Sequence, residues 1–244
     1  MTSTLRPSAE KRASGAASNQ VDRPESFLRR NALSLACLAA FLVILAAMVL
    51  TGWHSFNSEQ LEHGEAPLSL WGYFGQGHIW EALFENWESE FLQMAAYVLL
   101  TAYLVQRGSA ESKDPEQHEP VDDDPKDADL RHDVPWPVRR GGIVLRLYEH
   151  SLAIAFTLLF LGSFVGHALG GAAAYNDELR AHGETAVSTW QYVSGSQFWF
   201  ESFQNWQSEF LAVFAIVVLT IFLRQKGSSE SKPVAAPHTA TGTS

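Results

Sequence analysis

Residues 84–113 read FENWESEFLQMAAYVLLTAYLVQRGSAESK, and residues 203–232 repeat them as FQNWQSEFLAVFAIVVLTIFLRQKGSSESK, without a gap, at an offset of 119 and with 18 of 30 positions identical. Each copy opens on an aromatic and carboxamide/carboxylate cluster, runs through an apolar segment and ends in a basic residue, a glycine and a polar tail. The offset holds upstream as well. It pairs Asn57 with Asn176, Glu59 with Glu178, His63-Gly64-Glu65 with His182-Gly183-Glu184, Trp71 and Tyr73 with Trp190 and Tyr192, and Trp80 with Trp199. A duplication of this extent requires two like units, covering about residues 27–113 and 146–232.

Each unit carries two apolar runs, 32–53 and 91–105 in the first and 151–171 and 210–223 in the second. The first run of each pair has the ~20 residues needed to cross a hydrocarbon core of roughly 30 Å, while the second borrows length from the aromatic segment before it. Sixteen of the seventeen basic residues lie before the first run, between the second and third, or after the fourth; Arg180 is the exception. Basic residues concentrate on the cytoplasmic side, so both termini are expected inside and the two loops outside. The lone Cys37 excludes an intrachain disulfide, and the first run is expected to be a retained anchor because no small-residue cleavage site follows it.

The expected fold is therefore an all-α membrane protein. It has four transmembrane helices as two tandem parallel two-helix repeats with pseudo-twofold symmetry, plus short interfacial helices in the outer loops. The expected boundaries are a disordered cytoplasmic tail at 1–26 and repeat unit 1 at 27–108, with an outer loop at 54–78. A disordered acidic linker follows at 109–140, then repeat unit 2 at 141–227 with an outer loop at 172–197, and a disordered tail at 228–244. The tail and linker readings rest on polar, charged, proline-broken composition. Glycine after the basic residue in Gln106-Arg107-Gly108 and Gln225-Lys226-Gly227 is expected to cap the second helix of each unit.

Several residues are candidates for function. Glu90 lies 17 residues, about 25 Å of helix, before Arg107, which places it near the outer edge of the core. Asn86 precedes it by one turn, as Asn205 precedes Glu209, so these residues with Trp87 and Trp206 are expected to make contacts between the repeats. The polar face continues through Gln93, Tyr97 and Thr101 in copy one but meets Ala212 and Ile216 in copy two, which favours interhelical hydrogen bonding over a conducting stripe. His63 and His182 stand in acidic loops, yet one histidine per copy matches no zinc spacing; a glycine-centred turn is expected and no metal. Gly162, Gly166 and Gly170 form a doubled GxxxG, read as helix packing. His167 between them has Met48 as its counterpart and is read as a helix-to-helix hydrogen bond. No nucleophile-and-base set, cofactor motif or nucleic-acid patch is found.

At Asn-Trp-(Glu/Gln)-Ser-Glu-Phe-Leu, followed by Leu-Thr, Gln-(Arg/Lys)-Gly-Ser and Glu-Ser-Lys, the chain resembles an uncharacterised bacterial family of small integral membrane proteins. The resemblance covers both units and implies a bacterial cytoplasmic membrane location but no reaction. Copy one departs from the signature only at Glu88, where copy two has Gln207, and the family implies no role there. The expected function is non-enzymatic, acting by association with the lipid bilayer, a second copy or another membrane protein. The alternative is a small cation channel or transporter with Glu90 and Glu209 near its outer mouth.

Overall fold

Helices, with no strand, make up the regular structure of the computed structural model, which describes residues 26–128 and 133–242. In chain order they are α1 (Phe27–Arg30), α2 (Ala32–Glu62), α3 (Leu70–Tyr73), α4 (Gly77–Tyr103), α5 (Trp136–Arg140), α6 (Gly142–Glu149), α7 (Ser151–Ala181), α8 (Thr189–Val193) and α9 (Ser196–Phe222). Two 3₁₀ turns, Pro120–Asp122 and Pro125–Asp127, lie in the linker. Both ends of α7 follow those of α2 by 119 residues, and both ends of α9 follow those of α4 by the same interval.

The matching bounds have matching local causes. Asn57 accepts from the Leu68 N–H at 2.8 Å and donates to the Leu68 carbonyl at 3.0 Å; Asn176 does the same with Val187 at 2.7 and 2.9 Å. Each asparagine thus pins the returning loop to the last turns of the long helix. Ser69 and Ser188 then cap α3 and α8, the latter in a full capping box with Gln191. In both copies a glycine admits the tyrosine that follows. A Cβ at Gly52 would lie 2.6 Å from the Tyr73 hydroxyl, and one at Gly171 would collide with the Tyr192 ring.

The chain divides into two compact units, Met1–Thr51 and Gly52–Ser244. The first holds α1, capped by Ser26, and the larger part of α2, a helix with no buried residue. A helix apolar on every side is built for lipid. In the second unit α4 packs extensively on α7 and less so on α9. Gly166 receives the Phe84 ring, and Gly170 admits the α4 backbone, since a Cβ there would lie 2.7 Å from the Glu81 nitrogen. Gly77 reciprocates against Ala173 and Ala174. Two of the three GxxxG glycines thus serve packing within this unit, while nothing lies within 4 Å of a Cβ at Gly162.

Among the described residues three helices are long and apolar enough to cross a membrane: α2, α7 and α9. The N-terminal half of α4 carries Glu81, Glu85, Glu88 and Glu90, which leaves only its second half apolar. Against the sequence reading, α4 and α9 end at Tyr103 and Phe222 with extended Leu104 and Leu223 as caps. Gly108 and Gly227 do adopt φ of 84° and 88°, but in the turn beyond rather than as helix caps.

Finally, the segments expected to be unstructured make specific contacts. Residues 233–242 fold onto the end of α4: Gly108 N–H donates to Thr241 Oγ1 at 3.0 Å, and Gly242 N–H to the Ser109 carbonyl at 2.9 Å. Lys232 is buried, its Nζ donating to the carbonyls of Gly108, His238 and Ala240. Its counterpart Lys113 instead pairs with Asp122 at 2.6 Å, within the linker. Residues 1–25, 129–132 and 243–244, which belong to the expected tails and linker, lie outside the described residues.

Candidate functional site

The most buried polar cluster forms where α7, α4 and α9 converge. His167 on α7 is 0% exposed, as is Glu88 on α4. The imidazole Nδ1 lies 2.8 Å from Glu88 Oε2, and Nε2 lies 3.3 Å from Glu201 Oε2 on α9. The Phe198 ring stacks on the imidazole with centroids 4.6 Å apart. Each carboxylate has further donors: Trp206 Nε1 gives a 3.0 Å bond to Glu88 Oε1, and Gln197 Nε2 and the Tyr192 hydroxyl both donate to Glu201. Asn205 donates to Glu85, a turn from Glu88 on α4.

An ionised carboxylate only accepts hydrogen bonds. With a carboxylate on each ring nitrogen, the imidazole is doubly protonated, or one carboxyl carries the proton in its place. The centre therefore holds a proton shared among an imidazole and two carboxyl groups on three helices. Glu81 and Glu85 lie within electrostatic range of the ring, so carboxyl groups outnumber basic groups in the cluster.

Glu201 is also the partly exposed member of the centre. With Glu81 it lines a cleft of about 600 Å³ whose walls include Glu59, His63, Glu178 and His182. His63 and His182, the two loop histidines singled out in the sequence, thus face one cavity. Each spends Nδ1 on the carbonyl four residues earlier, Glu59 and Glu178 respectively, both at 2.9 Å. Among the described residues no group of three or more His, Cys, Asp or Glu side chains has a metal-holding arrangement.

The remaining candidates divide by copy. Asn205 and Trp206 on α9 reach across to α4, as described. In copy one Asn86 donates to the Ala82 carbonyl of its own helix at 2.8 Å, a bond that Asn205 repeats to the Glu201 carbonyl at 3.2 Å, and Trp87 has the Phe84 and Phe91 rings as neighbours. Glu90 lies close enough to Glu209 to act on its charge, and Gln93 Nε2 donates to the Glu209 carbonyl at 3.4 Å.

Sequence reasoning gave His167 an interhelical bond but passed over Glu88, Glu201 and Tyr192. A signal was present. At the offset of 119, His167 replaces Met48, Glu201 replaces Ala82, and Glu88 stands where copy two has Gln207. The three polar departures from the repeat meet at one point in space.

Among the described residues the regular structure is all helical and is organised around a buried imidazole between two carboxylates, and three helices are long and apolar enough to span a bilayer, as in membrane proteins. The chain matches the family described as a domain of unknown function (DUF6766) over residues 24–243 and belongs to that family. No curated protein and no solved structure matches it.

Proposed function

We propose that this is a non-enzymatic multi-pass protein of the bacterial cytoplasmic membrane that takes a proton from the outer face into the Glu88–His167–Glu201 centre and thereby sets how firmly α4, α7 and α9 associate. The observation that carries this reading is that Glu201 both lines the outer cleft and bonds the fully buried His167. Intramembrane histidines and carboxylates are costly to keep and mark proton or ion pathways. Glu201 is the member of the centre that lines the cleft, which supports a switch reached from that cleft. The Gln93 bond to the Glu209 carbonyl supports the joining of α4 to α9.

The reading includes four spans as two tandem repeats, with both termini inside. At 27 residues, α4 has a length of about 40 Å at 1.5 Å per residue, more than a bilayer core requires. Its glutamate-bearing half then occupies the outer interface and the protein-covered centre. The equal helix bounds at the 119-residue offset support the repeat, and the distribution of basic residues supports the orientation.

The test is an infrared difference spectrum of the full chain in proteoliposomes, recorded on acidifying only the outer side. A carboxyl C=O band is expected from the wild type and is expected to be missing from Glu88→Gln/Glu201→Gln. Identical spectra from the two proteins would overturn the proposal. Orientation is checked in intact cells, in a Cys37→Ser background: an impermeant thiol reagent should label a cysteine replacing His63 and leave one replacing Lys126 unlabelled.

A further inference from the structure

The short helices before α7 form a second feature that the buried centre does not use. α5 and α6 meet at Gly141 and Gly142, whose φ values of 66° and 62° are open to glycine at little cost. On α6, Ile143, Val144, Leu147 and Tyr148 fall within an arc of about 140° at 100° per residue. Ile143 and Leu147 are 68% and 55% exposed, and Trp136 on α5 is 65% exposed. Arg146 flanks that arc, and Arg139 and Arg140 end α5. Lys126, at the last 3₁₀ turn of the linker, joins Arg146, Gly142 and Ile143 around a cavity of about 370 Å³, with Glu149 as its acidic lining residue.

Only His150 separates α6 from α7, a helix fit to span the bilayer. The chain therefore holds α6 within a few ångströms of the membrane boundary, on the side rich in basic residues. An exposed apolar arc at that depth faces acyl chains, and cations on its flank stand at the level of lipid phosphates. Trp136 has the amphipathic ring that favours the same level.

We propose that α5–α6 lies in the inner membrane–water interface as an anionic-phospholipid site, with Lys126 and Arg146 holding the headgroup phosphate and Ile143 and Leu147 lying against the acyl chains. The cavity lining supplies two cations against one carboxylate, and Lys126 also meets Asp124 in an exposed 3.5 Å pair that a phosphate can displace, which favours a lipid of net negative charge over a zwitterionic one. The inference is independent of the buried histidine centre.

The experiment uses the full chain, delipidated and then titrated in micelles with phosphatidylglycerol or phosphatidylcholine, with retained lipid counted by native mass spectrometry. Phosphatidylglycerol is expected to be retained in preference, and Lys126→Gln/Arg146→Gln to weaken that retention by on the order of tenfold or more, since each basic residue at an anionic surface adds severalfold to binding. Arg29→Gln/Arg30→Gln, which removes the same charge elsewhere on the same side, is expected to keep it. Leu147→Gln is expected to weaken both lipids. Equal retention of the two lipids, equal loss in the two arginine-containing double variants, or displacement of the lipid by millimolar inorganic phosphate alone would each overturn the proposal.

Discussion

The Glu88–His167 pair gives a prediction whose sign changes with background. At 2.8 Å, opposite charges attract by about 6 kcal/mol at an effective dielectric constant of 20. Burial of both groups costs several kcal/mol per ion, so the net value of an intact pair is small. Removing one partner is another matter, because the survivor stays buried and uncompensated, at a cost of about 3–5 kcal/mol. His167→Met, which installs the residue found at the equivalent place in copy one, leaves Glu88 with Trp206 as its remaining bonded donor. Glu88→Gln, which installs the copy-two residue, costs less, about 2 kcal/mol, because the amide still accepts from Trp206 and the imidazole keeps Glu201. In the His167→Met background the same Glu88→Gln change removes an unpaired buried carboxylate and is expected to stabilise by about 1–2 kcal/mol. The coupling energy is then about 3 kcal/mol. It is measured at pH 7 by reversible unfolding of the full chain in mixed micelles at rising SDS fraction, followed by helical circular dichroism. If Glu88→Gln destabilises both backgrounds equally, within about 0.5 kcal/mol, the two side chains are not paired and the buried-centre argument fails.

Three further outcomes are expected, the first two by the same measurement. Gly171→Ala sets a methyl against the Tyr192 ring and should cost about 1–3 kcal/mol; combining it with Tyr192→Phe should recover part of that loss, whereas a cost independent of the tyrosine would mean the clash is absorbed elsewhere. Asn57→Ala and Asn176→Ala each remove a two-bond clamp and should each cost about 1–3 kcal/mol; a large effect in one copy only would show that the loops are held differently. Lys232→Met leaves the carbonyls of Gly108, His238 and Ala240 without their shared donor, so limited proteolysis should cut residues 233–242 markedly faster than in wild type. An unchanged cutting rate would mean that the ammonium does not hold the segment.

Much of the fold is legible because duplication is visible without any structural knowledge. Asn57 and Asn176 share an offset with both ends of the long helices around them, and local causes repeated in sequence repeat in space. The tail contacts were not legible, since they depend on Lys232 finding backbone carbonyls 124 residues away at Gly108, and composition reports only that a segment is polar. The centre was hidden for a different reason. A search for function among the shared residues leads to Glu90, Glu209, Asn86 and Asn205, whereas His167, Glu88 and Glu201 are where the copies disagree. Apolar periodicity could not find them either, because a buried ion pair breaks the pattern at both partners and becomes intelligible once they are seen to meet.

The location of the centre has a consequence for how the chain could be assembled. Glu88 belongs to copy one alone, while His167 and Glu201 belong to copy two. A pair of identical halves, whether two copies of the first or two of the second, would present carboxylates without an imidazole or imidazoles without Glu88. Only a chain that joins unlike halves supplies one of each, so its two units are no longer interchangeable parts.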